Sequence, residues 1–287
     1  MRRDSIVHAV LTQHSYGKSR IRLTKVSRLS DRHEVRELTM AIQLEGDFAE
    51  SFTSGDNRLV IPTDTMKNVA YALAREHPLE SIEDFGIVVA SHFLTSHPHV
   101  AQATVRLAEA PLERIRLDGR EHPHAFGGRK QETRTSVVRG FRTGCRVESG
   151  LDDLFLLKST DSAFCGFLRD RYTTLADAPD RIFATMLKAE WLYTSDHADW
   201  NIAHARIRQV LLETFAVHQS LSVQQTLHAM GAAALEACGE IERITLVMPN
   251  QHRILVNLTP FGLDNNNEIF LATDEPHGTI TGTLQRG

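Results

Sequence analysis

The chain is poor in cysteine: Cys145, Cys165 and Cys238 are three in 287 residues, far apart and odd in number. No C-x-x-C pair exists, which excludes a zinc ribbon and a thioredoxin-like redox motif; scattered thiols of this kind fit half-buried or buried side chains in a reducing compartment. No run of 18 apolar residues occurs, so the sequence offers no helix of the length a bilayer requires. The apolar stretch Ile6 to Leu11, behind the basic start Met1-Arg2-Arg3, is short, is broken by His8 and lacks a small-residue cleavage site. The chain closes on Gln285-Arg286-Gly287, not on the Ser-Lys-Leu peroxisomal address. The expectation is a soluble, cytoplasmic protein with no membrane partner.

A surplus of one charge is missing too. Lys plus Arg is 32 and Asp plus Glu is 36, a formal net charge of −4, which argues against a nucleic-acid partner and for a small anion met by one or two placed cations. Phosphate-binding signatures are absent. Gly127-Gly128-Arg129-Lys130 lacks the Walker spacing and reads as a surface turn, and neither G-x-S-x-G nor G-x-G-x-x-G occurs.

What is present is a duplicated pattern. Ser19 to Lys25 alternates polar and apolar residues, as Val35 to Leu44 does less strictly, and both read as strands. Thr65 to Arg75 has helical spacing (Met66, Val69, Ala70, Leu73), with Thr63 or Asp64 as N-cap and a stop at His77-Pro78. Ser81 to Thr95 reads as a second helix, and Val100 to Glu109, Glu113 to Leu117 and Thr133 to Phe141 as strands. The order then recurs: strands at Leu154 to Lys158 and Ile182 to Tyr193, helices from Asp199 to Val217 and after Ser222, where Gln225 completes a capping box. Strands at Ile241 to Met248, Arg253 to Leu258 and Glu268 to Ala272 close the chain. The fold class expected is α+β, with two antiparallel four-stranded sheets, each carrying its helices on one face. The domains are 1–145 and 146–287, divided within the Gly-, Ser- and charge-rich stretch Arg142 to Asp153. Open sheet edges invite closure by further copies of the chain, giving a barrel-like homo-oligomer.

Chemistry is sparse when residues are taken singly. Fifteen histidines include His97-Pro98-His99 and His122-Pro123-His124, but neither pair has helical i, i+4 spacing or a nearby cysteine, so no metal site is expected. Lys18 at the mouth of the first strand, Thr63-Asp64 at a strand-to-helix turn and His252 between two strands each admit a bland reading as surface lysine, helix cap and turn histidine.

Collinear runs change that. Tyr16-Gly17-Lys18, Pro62-Thr63-Asp64-Thr65-Met66-Lys67-Asn68, Lys158-Ser159-Thr160-Asp161-Ser162-Ala163-Phe164-Cys165-Gly166-Phe167 and Asp170-Arg171-Tyr172-Thr173-Thr174-Leu175 resemble the urate oxidase (uricase) family. Asp180-Arg181-Ile182, Ser222-Val223-Gln224, Met248-Pro249-Asn250-Gln251-His252, Pro260-Phe261-Gly262-Leu263 and Ala272-Thr273-Asp274-Glu275-Pro276-His277-Gly278 follow in the same order. The resemblance spans nearly the whole chain. It implies tandem tunnelling-fold (T-fold) domains in a homotetramer with active sites at subunit interfaces. It also implies neither metal nor organic cofactor, and conversion of urate, dioxygen and water to 5-hydroxyisourate and hydrogen peroxide.

The resemblance further implies residue roles. Lys18, Thr63 and His252 form a proton relay, the lysine activating the threonine hydroxyl and the histidine shuttling a proton through water. Phe164 stacks on the substrate ring, Arg181 and Gln224 clamp opposite edges with the backbone of Val223, and Leu175 lines the pocket. Asn250 holds dioxygen above the ring, and Asp64 orients the threonine turn or meets substrate through its backbone. Cys165 and Arg253 are departures, standing where relatives often carry a larger residue and an aromatic. Two other classes fit the pattern less well: a metal-dependent purine or pterin enzyme of the same fold using the His-Pro-His segments, and a non-catalytic purine-binding protein retaining Arg181 and Gln224.

Overall fold

Period-two stretches become strands and 3.6-period stretches become helices in the computed structural model, which describes residues 9–28, 30–129 and 131–287. The basic start Met1-Arg2-Arg3, the beginning of the Ile6 to Leu11 stretch and Lys130 of the glycine-basic segment lie outside the described residues. The first half runs β1 (Tyr16–Ser27), β2 (Glu34–Gly46), the short α1 (Ala49–Thr53), α2 (Thr63–Glu76), α3 (Ile82–Ser96), β3 (Val100–Glu109), β4 (Leu112–Leu117), β5 (Arg120–Arg129) and β6 (Thr133–Phe141). The second runs β7 (Gly144–Lys158), β8 (Phe183–Tyr193), α4 (Trp200–Val217), α5 (Val223–Ala237), β9 (Ile241–Leu255) and β10 (Phe270–Gln285).

Two separate four-stranded sheets were expected; the structure has one sheet of eight strands, in the order β1-β2-β3-β6-β7-β8-β9-β10, with β4-β5 as a separate hairpin. The stretch read as a linker is the cause. Phe141 pairs with Gly144 across a two-residue turn, Gly144 taking φ +139, and β6 and β7 then pair in register to Thr133↔Asp152. The polar residues that suggested a linker alternate with Val147, Ser149 and Leu151, all buried against the helices. Gly127-Gly128 is likewise strand, not turn, because β5 folds back on β4 with Gly127 opposite Glu113.

All four long helices lie on one face of the sheet. In α2, Met66, Ala70, Leu73 and Ala74 are buried at the spacing of an amphipathic stripe. α3 packs on β3 and β6, and α5 on β9 and β10. The approach is close in both halves: a Cβ on Gly86 would meet Val138 Cγ2 at 2.7 Å, and one on Gly231 would meet Leu284 Cδ1 at 2.7 Å. The α3 cap is Ser81, whose Oγ accepts the Asp84 N–H at 2.9 Å. The α2 cap differs from expectation, since Pro62 precedes the helix without a side-chain cap and Thr63 and Asp64 are its first helical residues. No helix among the described residues is long and apolar enough to cross a membrane.

The halves are fastened by a polar network. Glu83 in α3, fully buried, accepts from Arg134 of β6 at 2.7 Å and from the Ser149 hydroxyl of β7. Arg134 also donates to Asn201 of α4 at 2.7 Å, and Trp200 Nε1 donates to Asp84 at 2.7 Å. Removing one partner of a buried pair strands the other charge, so Glu83→Ala is expected to cost about 3–5 kcal/mol. Asp177→Ala, which breaks the exposed pair with Arg169, is expected to cost less than about 1 kcal/mol. Urea unfolding midpoints of the two variants check this; equal shifts would contradict it.

Candidate active site

Three segments of the second half are stitched into one platform. Ser220 N–H donates to Asp161 O at 2.9 Å, Ala163 N–H to Ser220 O at 2.7 Å, and Arg181 N–H to Ser162 O at 2.7 Å. Phe164 and Ala178 exchange both backbone hydrogen bonds, at 2.8 and 3.0 Å. The Asp180 carboxylate completes the join by accepting the Thr160 hydroxyl at 2.7 Å and the Ser162 N–H at 3.3 Å. Those donors, the Thr160 hydroxyl first, hold its acidity below the usual carboxylate range.

This platform brings Phe164 and Arg181 together and fixes Ser220, three residues ahead of Val223. The Arg181 guanidinium carbon lies 5.3 Å from the Phe164 ring centroid, and its Nε is buried with no hydrogen-bond partner among the described residues. Burial pulls the Arg181 pKa down, with Cys165 acting in the opposite sense. A desolvated guanidinium with a donor unused suits a flat acceptor edge. Val223, buried, and Gln224, exposed, open α5 behind Ser222, whose Oγ accepts the Gln225 N–H at 3.2 Å. The expected capping box is shifted by one position: the Gln225 side chain accepts from Leu221 N–H at 2.9 Å rather than from Ser222. Phe167 stacks on Phe164 at 4.9 Å and 9°, covering one face of that ring. Leu175 is exposed on the loop between β7 and β8, its carbonyl accepting from Arg169 at 3.0 Å.

Asn250 and His252 do not lie in a turn between two strands. β9 is continuous from Ile241 to Leu255, with Thr185↔Asn250 on one side and Thr273↔His252 on the other. Both continue the row of Ile244, Leu246 and Met248, which are buried, so both side chains point to the helix side of the sheet.

The first half contributes a second cluster. The Tyr16 hydroxyl accepts the Ile61 N–H at 2.8 Å, tying the start of β1 to the run that leads into α2. Lys18 stands two residues beyond Tyr16, and Thr63 two residues beyond Ile61. Gly17 is needed between them, because a Cβ there would fall 1.9 Å from Ile42 O. A bulge follows between Lys18 and Ile21, with Arg20 at φ 57. Asp64 accepts from Lys67 at 2.5 Å and from Asn68 at 3.2 Å. Its pKa is lowered by the Lys67 hydrogen bond first and in small part by the charge of Lys18.

The two clusters do not meet. β1 is an edge strand and β9 lies six strands away, roughly 29 Å along the sheet at about 4.8 Å per step. A cavity of 1420 Å³ lies elsewhere and is lined by Lys25, Arg36, Arg134, His204 and Arg208 among others. It contains none of the candidate residues. The paired histidines lie close, 5.9 Å between the His97 and His99 rings and 4.5 Å between His122 and His124. Among the described residues no group of three His, Cys, Asp or Glu is arranged to hold a metal. Tyr16, Ser162, Phe167 and Asp180 were not singled out from the sequence; their parts depend on contacts between distant segments.

Comparison with known proteins agrees along the whole length. The family model described as Uricase matches residues 14–139 and 147–281. The uricase of Arthrobacter globiformis is 42% identical over 277 residues, covering 96% of this chain and 90% of that protein. The uricase of Danio rerio is 37% identical, covering 94% and 93%. The crystal structure of the Arthrobacter globiformis uricase superposes with a TM-score of 0.93 at 41% identity, covering 98% of this chain and 96% of that one. A uricase from Bacillus fastidious, at 22% identity and TM-score 0.83, shares the fold.

If Asp180 sets the position of Arg181, then Asp180→Ala should weaken calorimetric binding of a planar purine anion several-fold while secondary structure by circular dichroism stays unchanged. Unchanged affinity would remove Asp180 from the platform.

Proposed function

This chain belongs to the uricase family, and from that premise we propose how its own residues carry the reaction. It oxidises urate with dioxygen and water to 5-hydroxyisourate and hydrogen peroxide. Urate is planar, anionic and edged with amide-like groups. Phe164 supplies a stacking wall, while Arg181 and Gln224, with the Val223 backbone, clamp opposite edges of the ring, and Leu175 closes over it. Removing a further proton from bound urate raises its electron density until the ring itself reduces dioxygen, so neither metal nor organic cofactor takes part. Lys18 and Thr63 take that proton, with Asp64 orienting the Thr63 turn, and His252 passes a proton on through water. Asn250 holds dioxygen, and then the attacking water, above the ring.

One observation carries this reading: the Lys18 strand and the His252 strand, beside which the clamp lies, sit at opposite ends of a single sheet. A complete site therefore forms where the Lys18 end of one copy meets the Arg181 end of another, in a homotetramer whose sheets close into a barrel. Residues 1–145 and 146–287 act as its tandem T-fold domains. In support, the two matched segments, residues 14–139 and 147–281, part at the β6-β7 turn. Free cysteines, including the exposed Cys165, fit a cytoplasmic setting.

Chelator-treated protein mixed with urate in air is expected to consume the urate absorbance with equimolar peroxide release; a requirement for added metal would overturn the cofactor-free reading. Lys18→Met is expected to lower kcat by about 10²–10⁴-fold with urate affinity nearly unchanged. Arg181→Ala should instead weaken binding by about 2–5 kcal/mol, as loss of a desolvated charge partner does. Steady-state and binding measurements separate the two, and an affinity change alone in both variants would contradict the roles assigned here.

A further inference from the structure

Phe164 is half-buried and lies between β7 and β8, where its two backbone hydrogen bonds to Ala178 fix its Cα. A phenyl ring held at its backbone alone keeps two rotatable bonds, χ1 and χ2. The chain then doubles back beneath it. Gly166 turns at φ +70, and its N–H donates to the Asp177 carboxylate at 3.1 Å. The turn lays Phe167 against Phe164 in offset-stacking range, with centroids 4.9 Å apart and planes 9° from parallel. Arg169 follows, its guanidinium carbon 4.6 Å from the Phe167 centroid. The same guanidinium donates to Leu175 O at 3.0 Å and pairs with Asp177 at 3.1 Å. With Arg181 5.3 Å from the Phe164 centroid, the stack runs Arg181, Phe164, Phe167, Arg169.

We propose that Phe167 and Arg169 are positioning residues for substrate, backing the Phe164 ring so that its open face is held flat for a planar purine anion. The inference rests on the reading of Phe164 and Arg181 given above. A wall that must stop turning when its ligand arrives gives up part of the binding free energy as lost rotamer freedom. Stacking on Phe167 fixes the plane of Phe164 beforehand, and Arg169 covers Phe167 in turn. Arg169 has a second effect: through Leu175 O and Asp177 it joins the back of the wall to the segment that carries Leu175. The exposed Arg169–Asp177 pair adds little to fold stability; its use is to hold wall and rim in one relation.

Calorimetric binding of urate without dioxygen, where no turnover occurs, tests this on Phe167→Leu, Phe167→Tyr, Arg169→Met and Phe164→Ala. Steady-state rates in air and thermal melting are measured alongside. Phe167→Leu is expected to weaken urate binding roughly 3- to 10-fold, the scale of one aromatic pair, with kcat at saturating urate within about twofold of the parent. Phe167→Tyr, which keeps the ring, should bind urate as the parent does. Arg169→Met, which loses both polar contacts, should weaken binding about 2- to 5-fold; parent affinity there would overturn the part assigned to Arg169. If Phe164→Ala weakens binding and Phe167→Leu does not, the backing role is wrong. If Phe164→Ala leaves binding intact, the reading of Phe164 falls and this inference with it. A Phe167→Leu variant with lower Tm and reduced kcat, not rescued by tyrosine, would mark a structural role and overturn the proposal.

Discussion

The order of strands in one sheet governs everything else about this protein. Because β6 turns directly into β7, the two halves share a continuous hydrogen-bonded ladder, and the ladder holds β1 and β9 apart by six strands. Lys18 and Thr63 are fixed at one end, and Arg181, Gln224, Asn250 and His252 at the other. No side-chain motion bridges such a span. In the function proposed above, each end therefore supplies half of a reaction site, and β1 and β10 are the open edges of the sheet.

Rigidity at each end follows from how the chain is tied. At the clamp end, five backbone hydrogen bonds and the Asp180 carboxylate join segments separated by up to about sixty residues, so Phe164 and Arg181 are placed by the fold rather than by a mobile loop. At the relay end, one hydrogen bond from Ile61 N–H to Tyr16 performs the same task. The Glu83–Arg134–Asn201 network then keeps the helix layers of the two halves in one relation. Arg181 Nε, Ser162 Oγ and Thr185 Oγ1, in and beside this platform, are buried with no hydrogen-bond partner among the described residues.

Much of the architecture was legible in the sequence. Val100–Glu109 and Thr133–Phe141 stand as strands with the limits their alternation suggests, and Ser81, Asp199 and Ser222 cap the helices that follow them. β9 was read as two strands because Pro249-Asn250 has the chemistry of a turn, yet the neighbouring ladders hold it extended. β10 runs far past Ala272, through Asp274-Glu275-Pro276 to a Thr- and Gly-rich end where Ile280 and Leu284 alone mark the inward face, because β9 supplies its register. Lys18, Arg181 and His252 carried no local signature of chemistry; the collinear family resemblance singled them out. Tyr16 and Asp180 carried none either, since their partners are distant in sequence.

The shared site is tested most directly by complementation. Lys18→Met and Arg181→Ala chains carrying different tags are co-expressed, and oligomers holding both tags are isolated and assayed with urate. Random mixing puts an intact relay opposite an intact clamp at roughly a quarter of two-chain sites, so mixed oligomers should recover activity approaching that fraction of the parent while each variant alone stays inactive. Mixed oligomers no more active than the separate variants would contradict a site divided between chains.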